Sequence, residues 1–258
     1  MEFKSLKYEI IDKVAVVSFN RPEKRNAFNY QMIQDMNQAT SMVQDNTSIR
    51  CMVLTGKGLG FCAGADLSEK DADWKDTEEA LMKGYLPSLK NIMQMPKPVI
   101  SAINGGAAGV GSAYAMACDL SVMAEDAYLL QAFSNIGLIP DGGANWLLSQ
   151  TVGYKLAYEI AIEGERLPAQ RCLELGLTNK VVSSGSLLDE AISWATRLSN
   201  KAPQALASTK IIMRKSLEST YLETYADEAR EQNILFGTPD NKEGIKAFIE
   251  KRKPKFSG

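Results

Sequence analysis

Two glycine-rich segments of this chain have the composition of loops that present backbone N–H groups to a ligand. They are Gly64-Ala65-Asp66 and Gly109-Val110-Gly111, and the second opens an apolar stretch. Glycine lets the backbone bend sharply and approach a ligand closely, and a helix start favours a nearby anion. Two N–H donors aimed at one carbonyl oxygen stabilise the charge of an enolate. Either segment alone is typical of a simple turn, whereas the two together indicate an oxyanion-binding site.

Asp141 is the carboxylate that we consider the best candidate for a catalytic acid and base. It lies in Pro140-Asp141-Gly142-Gly143, which is also a favourable turn sequence, so a purely structural role is the alternative. Three apolar residues lie nearby in the sequence, namely Phe133, Ile139 and Trp146. Burial among them is expected to raise the pKa of Asp141 towards the range of a useful acid and base.

The composition excludes several classes of function. The 258 residues include no histidine, which rules out Ser-His-Asp and Cys-His mechanisms and removes the usual nitrogen ligands of zinc, so no metal is expected. The four cysteines form no CxxC pair, which favours a reducing compartment. The formal net charge of −2 argues against a nucleic-acid partner. No signal peptide or apolar run of ~20 residues is recognised, so we predict a cytoplasmic protein that does not enter a membrane.

Hydrophobic periodicity predicts an α/β protein with a helical C-terminal region. Strands are predicted within residues 8–19, with a turn at Asp12-Lys13, and at residues 49–55, 99–103, 120–123 and 128–131. Helices are predicted at residues 30–45, at 146–158, 168–175, 187–198 and 203–220, and a final one at 222–236. An acidic stretch at residues 71–79 leads into a further helix that ends at Met95. We expect a core domain over residues 1–198 and a C-terminal helical region over residues 199–258.

The segments Phe61 to Leu67 and Ile103 to Ala113 together resemble the signature of the crotonase (enoyl-CoA hydratase/isomerase) superfamily, and the likeness runs from about Tyr8 to Phe256. Residues 132–148 are most similar to its ring-epoxide and enoyl-CoA isomerase branch. The resemblance implies a spiral of repeated ββα units whose terminal helices drive formation of a homotrimer, commonly doubled to a hexamer. It also assigns the oxyanion hole to the amides of Ala65 and Val110.

The resemblance further implies how an acyl-CoA would be bound. Coenzyme A enters as the carrier of the substrate, and no separate cofactor is expected. Lys24 and Arg25 have the charge to contact its phosphates, and Phe248 and Lys251 would reach it from a neighbouring subunit; solvated lysines and a packed phenylalanine are the alternative. The remaining residues expected at the substrate are Ala63, Asp66, Leu67, Gly109, Phe133, Ile139 and Pro140. Asp66 is expected to cap a helix, and Asp119 to satisfy backbone donors nearby.

Hydratases of the superfamily carry catalytic glutamates at the positions of Ala113 and Phe133, so the resemblance favours an isomerase here. One carboxylate, Asp141, would move a proton from carbon 2 to carbon 4 of a 3-enoyl-CoA through a thioester dienolate, or assist the opening of a ring epoxide to an oxepin. The acyl pocket would be shaped by residues 71–95. One alternative is a hydratase whose second acid is Glu69, Glu78 or Glu79. Another is a non-catalytic member that binds coenzyme A or RNA, although the near-neutral charge opposes RNA.

Overall fold

The computed structural model describes residues 3–69 and 73–258. A six-stranded sheet has the order β1-β2-β3-β4-β6-β9, in which β1 pairs antiparallel with β2 and every other pair is parallel. A smaller sheet has the order β5-β7-β8. The strands are β1 Leu6–Ile11, β2 Val14–Phe19, β3 Cys51–Gly56, β4 Val99–Ile103, β5 Gly106–Ala108, β6 Leu120–Ala124, β7 Tyr128–Leu130, β8 Arg166–Pro168 and β9 Lys180–Val182.

Helices cover the larger sheet and make up most of the C-terminal region. They are α1 Tyr30–Asp45, α2 Thr77–Glu79, α3 Leu86–Gln94, α4 Val110–Ala117, α5 Ala144–Val152, α6 Tyr154–Glu163, α7 Ala169–Glu174, α8 Leu187–Ser199, α9 Pro203–Ser216, α10 Tyr221–Leu235 and α11 Pro239–Ile249. A π-helical turn, Ala80–Tyr85, joins α2 to α3. Within residues 3–69 and 73–258, no helix has both the length and the apolar character needed to cross a membrane.

The central strands are buried on both faces. Every residue of β2, β3 and β4 is buried, which is why these segments are continuous apolar runs rather than alternating patterns. Helix α8 contacts β3, β4 and β6, while α1 contacts β1 and β2. The α/β class predicted from the sequence is therefore confirmed, and the first helix begins and ends where its periodicity indicated.

Several predicted elements need correction. The helix predicted at residues 146–158 is two helices, because Gly153 adopts a φ of +77° and separates α5 from α6. The helix predicted last is followed by α11, whose many polar residues hid its periodicity. The short strands β5, β8 and β9 were not predicted. Of the acidic stretch at residues 71–79, positions 71 and 72 lie outside the described residues. The division at residue 198 stays a prediction.

A cluster of four buried aromatic rings supports the loops that carry the candidate site. The ring of Phe19 lies 5.2 Å from that of Phe28 and 5.3 Å from that of Phe61, both edge to face. The ring of Phe28 also stacks on Tyr114 at 4.8 Å. Phe61 lies three residues before the first glycine-rich segment and Tyr114 belongs to α4, which begins in the second, so this packing fixes both segments to the sheet.

Asp119 attaches the C-terminal helices to the core. Its carboxylate accepts a hydrogen bond from the Val99 amide at 2.9 Å, which confirms the expected role towards backbone donors. It also pairs with Lys210 at 2.7 Å and with Arg214 at 3.0 Å, both on α9. The Lys210 ammonium donates further bonds to two buried backbone carbonyls, of Ile92 and Lys97. Helix α9 is thereby held in one position against α3.

Candidate functional site

The two glycine-rich segments lie side by side. Cys62 and Ala107 form a parallel bridge, with the Ala108 amide donating to the Cys62 carbonyl at 2.8 Å. A methyl group built on Gly109 would lie 3.5 Å from the Gly64 Cα, so the two backbones nearly touch. Gly64 has a φ of +101° and Gly109 a φ of +53°, backbone regions that favour glycine. The fold therefore brings the two segments together in space, as the proposal of one shared oxyanion site requires.

The N–H group of Ala65 points away from Phe28, the residue with which Ala65 is paired. In the bridge between Phe28 and Ala65, the Phe28 amide donates to the Gly64 carbonyl at 2.7 Å, and the Asp66 amide donates to the Phe28 carbonyl at 2.8 Å. This alternation turns the intervening Ala65 N–H to the other side of the strand. Across residues 3–69 and 73–258, no protein acceptor is bonded to it.

The Val110 amide is the first N–H of α4 and carries the positive end of that helix. It too is bonded to no acceptor in the described part of the chain. The preceding turn is held by the Gly109 amide, which donates to the Leu130 carbonyl at 3.0 Å, and by the Ser112 hydroxyl, which donates to the Gly109 carbonyl at 2.7 Å. Gln131 in turn donates to the Ser112 hydroxyl at 2.8 Å. Two unpaired amides on adjacent rigid turns can receive one anionic oxygen.

Asp141 lies next to the start of α4. The following residue, Gly142, has a φ of +61°, and a methyl group built on it would lie 2.8 Å from the Ala113 Cβ and 3.2 Å from a Val110 methyl. The loop is fixed by the Ala144 amide, which donates to the Asp141 carbonyl at 3.0 Å. The loop that carries Asp141 therefore packs against the helix start that presents the Val110 amide.

Burial gives this carboxyl group an unusual acidity. Its Oδ1 atom is buried and accepts no hydrogen bond within the described residues. Desolvation raises the pKa of Asp141 from 3.8 to about 6. Because the folded-state pKa lies above the ordinary value, the ionised form destabilises the fold increasingly as the pH rises from about 4 to about 6. Such a group is ionised near neutral pH and still readily accepts a proton.

Asp141 faces a mostly apolar cavity of about 960 Å³. Residues lining it include Leu81, Tyr85, Leu89, Ile139, Trp146 and Ile211. Ile139, Pro140 and Trp146 were expected there from the sequence. Tyr85 and Leu89 were missed individually, although the spacing of Leu81, Tyr85 and Leu89 at four-residue intervals was a signal for one helical face. Ile211 comes from α9, which sequence proximity alone does not place here.

The structure places the other residues predicted to contact the substrate at different depths, some buried and some exposed. Phe133 is buried, with its ring tip 3.8 Å from a methyl group built on Gly109. Ala63 and Leu67 are exposed on the first glycine-rich segment. The exposed Lys24 and Arg25 lie beside it, because the Ala63 amide donates to the Arg25 carbonyl at 3.0 Å. The Arg25 backbone therefore lies close to the segment that carries the Ala65 amide.

The expectation that Asp66 caps a helix is wrong. It accepts hydrogen bonds from the Ser68 hydroxyl at 2.6 Å and the Ser68 amide at 3.1 Å, and pairs with Arg21 at 3.0 Å. Ser68, followed by Arg21, lowers the pKa of Asp66. Residues 65–69 form turns rather than a helix, so the carboxylate stabilises the loop that follows Ala65.

Phe248 and Lys251 are not brought to the cavity within one chain. Phe248 is 85% exposed near the end of α11 and lines a separate cavity of about 440 Å³ with Leu235 and Phe256. Lys251 follows that helix with a φ of +53° and is exposed.

Comparison with known proteins places these features in a family. The Enoyl-CoA hydratase/isomerase family profile matches residues 9–258. The chain is 36% identical over 250 residues to 1,2-epoxyphenylacetyl-CoA isomerase of Escherichia coli (strain K12), covering 95% of both chains. It is 35% identical over 258 residues to a probable enoyl-CoA hydratase of Rhodobacter capsulatus, covering 100% of both.

Solved structures of enoyl-CoA hydratases have the same fold as this chain. An enoyl-CoA hydratase from Polaromonas sp. JS666 superposes with a TM-score of 0.92 at 35% identity, covering 98% of this chain and 99% of the other. One from Bacillus anthracis has a TM-score of 0.94 at 28% identity, covering 99% and 100%. The protein therefore belongs to the enoyl-CoA hydratase/isomerase, or crotonase, family and has its fold, as the resemblance implied. It is an enzyme of that family, whose named relatives divide between isomerases and hydratases.

Proposed function

We propose that the protein is an acyl-CoA isomerase that shifts a double bond from the 3,4 to the 2,3 position, with Asp141 as its acid and base. The observation that carries this proposal is one partly buried carboxylate of raised pKa facing an apolar cavity beside two unpaired amides. The opening of a ring epoxide to an oxepin, which is suggested by the name of the Escherichia coli relative, is a close variant that uses the same groups.

In the proposed mechanism, the amides of Ala65 and Val110 bind the thioester oxygen. Asp141 removes a proton from carbon 2, and the negative charge spreads to the oxygen as a dienolate forms. One preorganised donor at such an oxygen contributes about 3 kcal/mol to lowering the barrier. The same carboxyl group then returns the proton at carbon 4. A pKa near 6 suits both transfers at neutral pH.

A hydratase is the second candidate, because it would use the same oxyanion donors. The second acids considered from the sequence have other partners or positions. Glu69 accepts the Tyr30 amide at 2.9 Å, Glu79 pairs with Lys83 at 2.7 Å, and Glu78 is exposed. None of these lines the cavity with Asp141. Its other lining carboxylate is that of Glu218, which is exposed beyond the end of α9, so the isomerase is the better fit.

The experiment that tests the function is incubation with 3-hexenoyl-CoA in deuterated water. An isomerase with one carboxyl shuttle produces the conjugated 2-enoyl thioester, seen by its absorbance, with the label confined to carbons 2 and 4. A protein that only binds acyl-CoA would produce neither the absorbance change nor any label. A new hydroxyl group at carbon 3, with label at carbon 2, would show hydration of the conjugated product instead.

Hydration of crotonyl-CoA is expected to be at least about 100-fold slower than isomerisation of 3-hexenoyl-CoA. Ala113 is fully buried against Gly142, and Phe133 is 7% exposed, so neither position offers a polar atom to hold and activate water. Loss of the enoyl absorbance of crotonyl-CoA measures the rate. Comparable rates on the two substrates would contradict the isomerase assignment.

Coenzyme A is proposed to enter only as the carrier of the acyl group, without a separate cofactor. Lys24 and Arg25 are exposed beside the first glycine-rich segment, where cationic side chains would meet the phosphates of the nucleotide. Phe248 and Lys251 would complete this binding surface from another subunit, which requires an oligomer.

A homotrimer or a hexamer of two trimers is expected in solution. The C-terminal helices expose large apolar side chains, including Leu222 at 75%, Ile234 at 63%, Phe236 at 76% and Phe248 at 85%. So much exposed apolar surface on one region is unusual for a monomer. Sedimentation velocity measures the mass directly. A fully active monomer would contradict both the assembly and the shared binding surface.

A further inference from the structure

Tyr85 places an unpaired hydroxyl in the cavity that Asp141 faces. Its side chain lines that cavity, and the residue is only 8% exposed. Across residues 3–69 and 73–258, no protein group is hydrogen-bonded to the Tyr85 hydroxyl. The neighbouring phenol of Tyr114 differs, because its hydroxyl pairs with that of Ser88 at 2.6 Å. The ring of Tyr85 is buried while its hydroxyl oxygen remains accessible from the cavity, so an atom of a ligand in that cavity can become its hydrogen-bond partner.

The ring of Tyr85 is held firmly while its hydroxyl remains free. The residue ends the π-helical turn Ala80–Tyr85, a distortion frequently found at functional sites. Its ring lies 5.6 Å from that of Phe28, whose other contacts include the stacked ring of Tyr114. Packing therefore fixes the direction of the hydroxyl without consuming its hydrogen-bonding capacity.

The protonation state of Tyr85 determines which kind of partner it takes. Burial, and then the negative charge of Asp141, raise the pKa of the phenol above its ordinary value. The group stays protonated at every pH at which the enzyme would work. It is consequently available as a hydrogen-bond donor beside the acyl group.

We infer that the Tyr85 hydroxyl donates a hydrogen bond to an oxygen atom carried by the acyl group, so that oxygenated acyl thioesters are the preferred substrate class. This inference rests on the proposed function, because it takes the acyl group to occupy the cavity beside Asp141. The thioester oxygen itself is assigned to the amides of Ala65 and Val110. A purely hydrocarbon chain would leave the Tyr85 hydroxyl without a partner.

The test compares unreactive ligands that differ by one atom. Hexanoyl-CoA is matched with propoxyacetyl-CoA and 4-methoxybutanoyl-CoA, in which an ether oxygen replaces carbon 3 or carbon 5. Binding is measured by calorimetry at a pH well above 6, where Asp141 is ionised and cannot donate. We expect at least one ether to bind about 5-fold more tightly than hexanoyl-CoA, and Tyr85→Phe to abolish that preference.

Tyr128→Phe is the matched control, because that phenol lies on β7 beneath Arg166 and does not line the cavity. Tyr128→Phe should preserve the ether preference and should bind hexanoyl-CoA as tightly as the unaltered protein does. Equal affinity for ethers and hexanoyl-CoA in the unaltered protein would overturn the inference, as would a preference that survives Tyr85→Phe. A shift in the pH profile of kcat/KM for 3-hexenoyl-CoA caused by Tyr85→Phe would also overturn the inference, because Tyr85 would then act through Asp141. Failure to isomerise 3-hexenoyl-CoA while the ether preference holds would instead contradict the proposed function alone.

Discussion

Replacing Asp141 with asparagine is expected to lower the isomerisation rate by about 100-fold or more while acyl-CoA affinity changes little. Asparagine keeps the size of the side chain and the turn made with Ala144, but it cannot accept a proton from carbon 2. Turnover of 3-hexenoyl-CoA gives the rate, and calorimetry with hexanoyl-CoA gives the affinity. A variant that keeps more than about a tenth of the turnover would remove Asp141 from the mechanism.

Comparing the unaltered protein with Asp141→Asn at several pH values distinguishes the effect of ionising Asp141 from the effect of its packing. Because Asp141 must be ionised to act as a base, kcat/KM should rise with pH and level off above about 6. Stability should move the other way, since the unfolded carboxyl group ionises near 3.8 and the folded one near 6. Thermal unfolding should therefore show the unaltered protein losing stability relative to Asp141→Asn between about pH 4 and 6. A difference that does not change with pH would show that Asp141 is not buried as described.

Gly109→Ala is expected to reduce kcat by about 100-fold, the scale of losing one oxyanion donor. Gly109 has a φ of +53° and a ψ of −132°, which an alanine adopts only with strain, and relaxation of that strain rotates the adjoining Val110 amide. The affinity for a saturated acyl-CoA should fall much less than kcat. Steady-state kinetics on 3-hexenoyl-CoA give the comparison.

Gly153→Ala controls for the cost of backbone strain alone. Gly153 has a φ of +77° and a ψ of +161°, and nothing lies within 4 Å of a methyl group built on it. Both substitutions should cost about 1–3 kcal/mol of stability, but only Gly109→Ala should slow the reaction. Equal activity of the two variants would show that the Val110 amide is not an oxyanion donor.

A structural feature of this protein can be predicted from the sequence when the residues that determine it are close together in the chain. Helix α1 is fully predicted because its apolar residues repeat at helical spacing. The structure adds a cap, in which Asn29 accepts the Met32 amide at 3.0 Å. The break at Gly153 was missed because apolar periodicity continues through it. The raised pKa of Asp141 agrees with the sequence prediction, but Ile139, one of the apolar neighbours expected to bury it, is 77% exposed. Tyr85 could not be singled out, since its direction depends on a π-helical turn that the periodicity of residues 81–89 does not reveal.

The close contact between Gly142 and Ala113 restricts how this enzyme can evolve. Adding a side chain at either position brings atoms together where a methyl group on Gly142 already lies 2.8 Å from the Ala113 Cβ. A glutamate acquired at position 113 would displace the Asp141 loop before any new reaction could benefit, and a larger residue at position 142 would close the space that such a glutamate needs. The side chains tolerated at these two positions therefore depend on each other. A glutamate at position 113 thus requires a compensating change in the loop at residues 137–143.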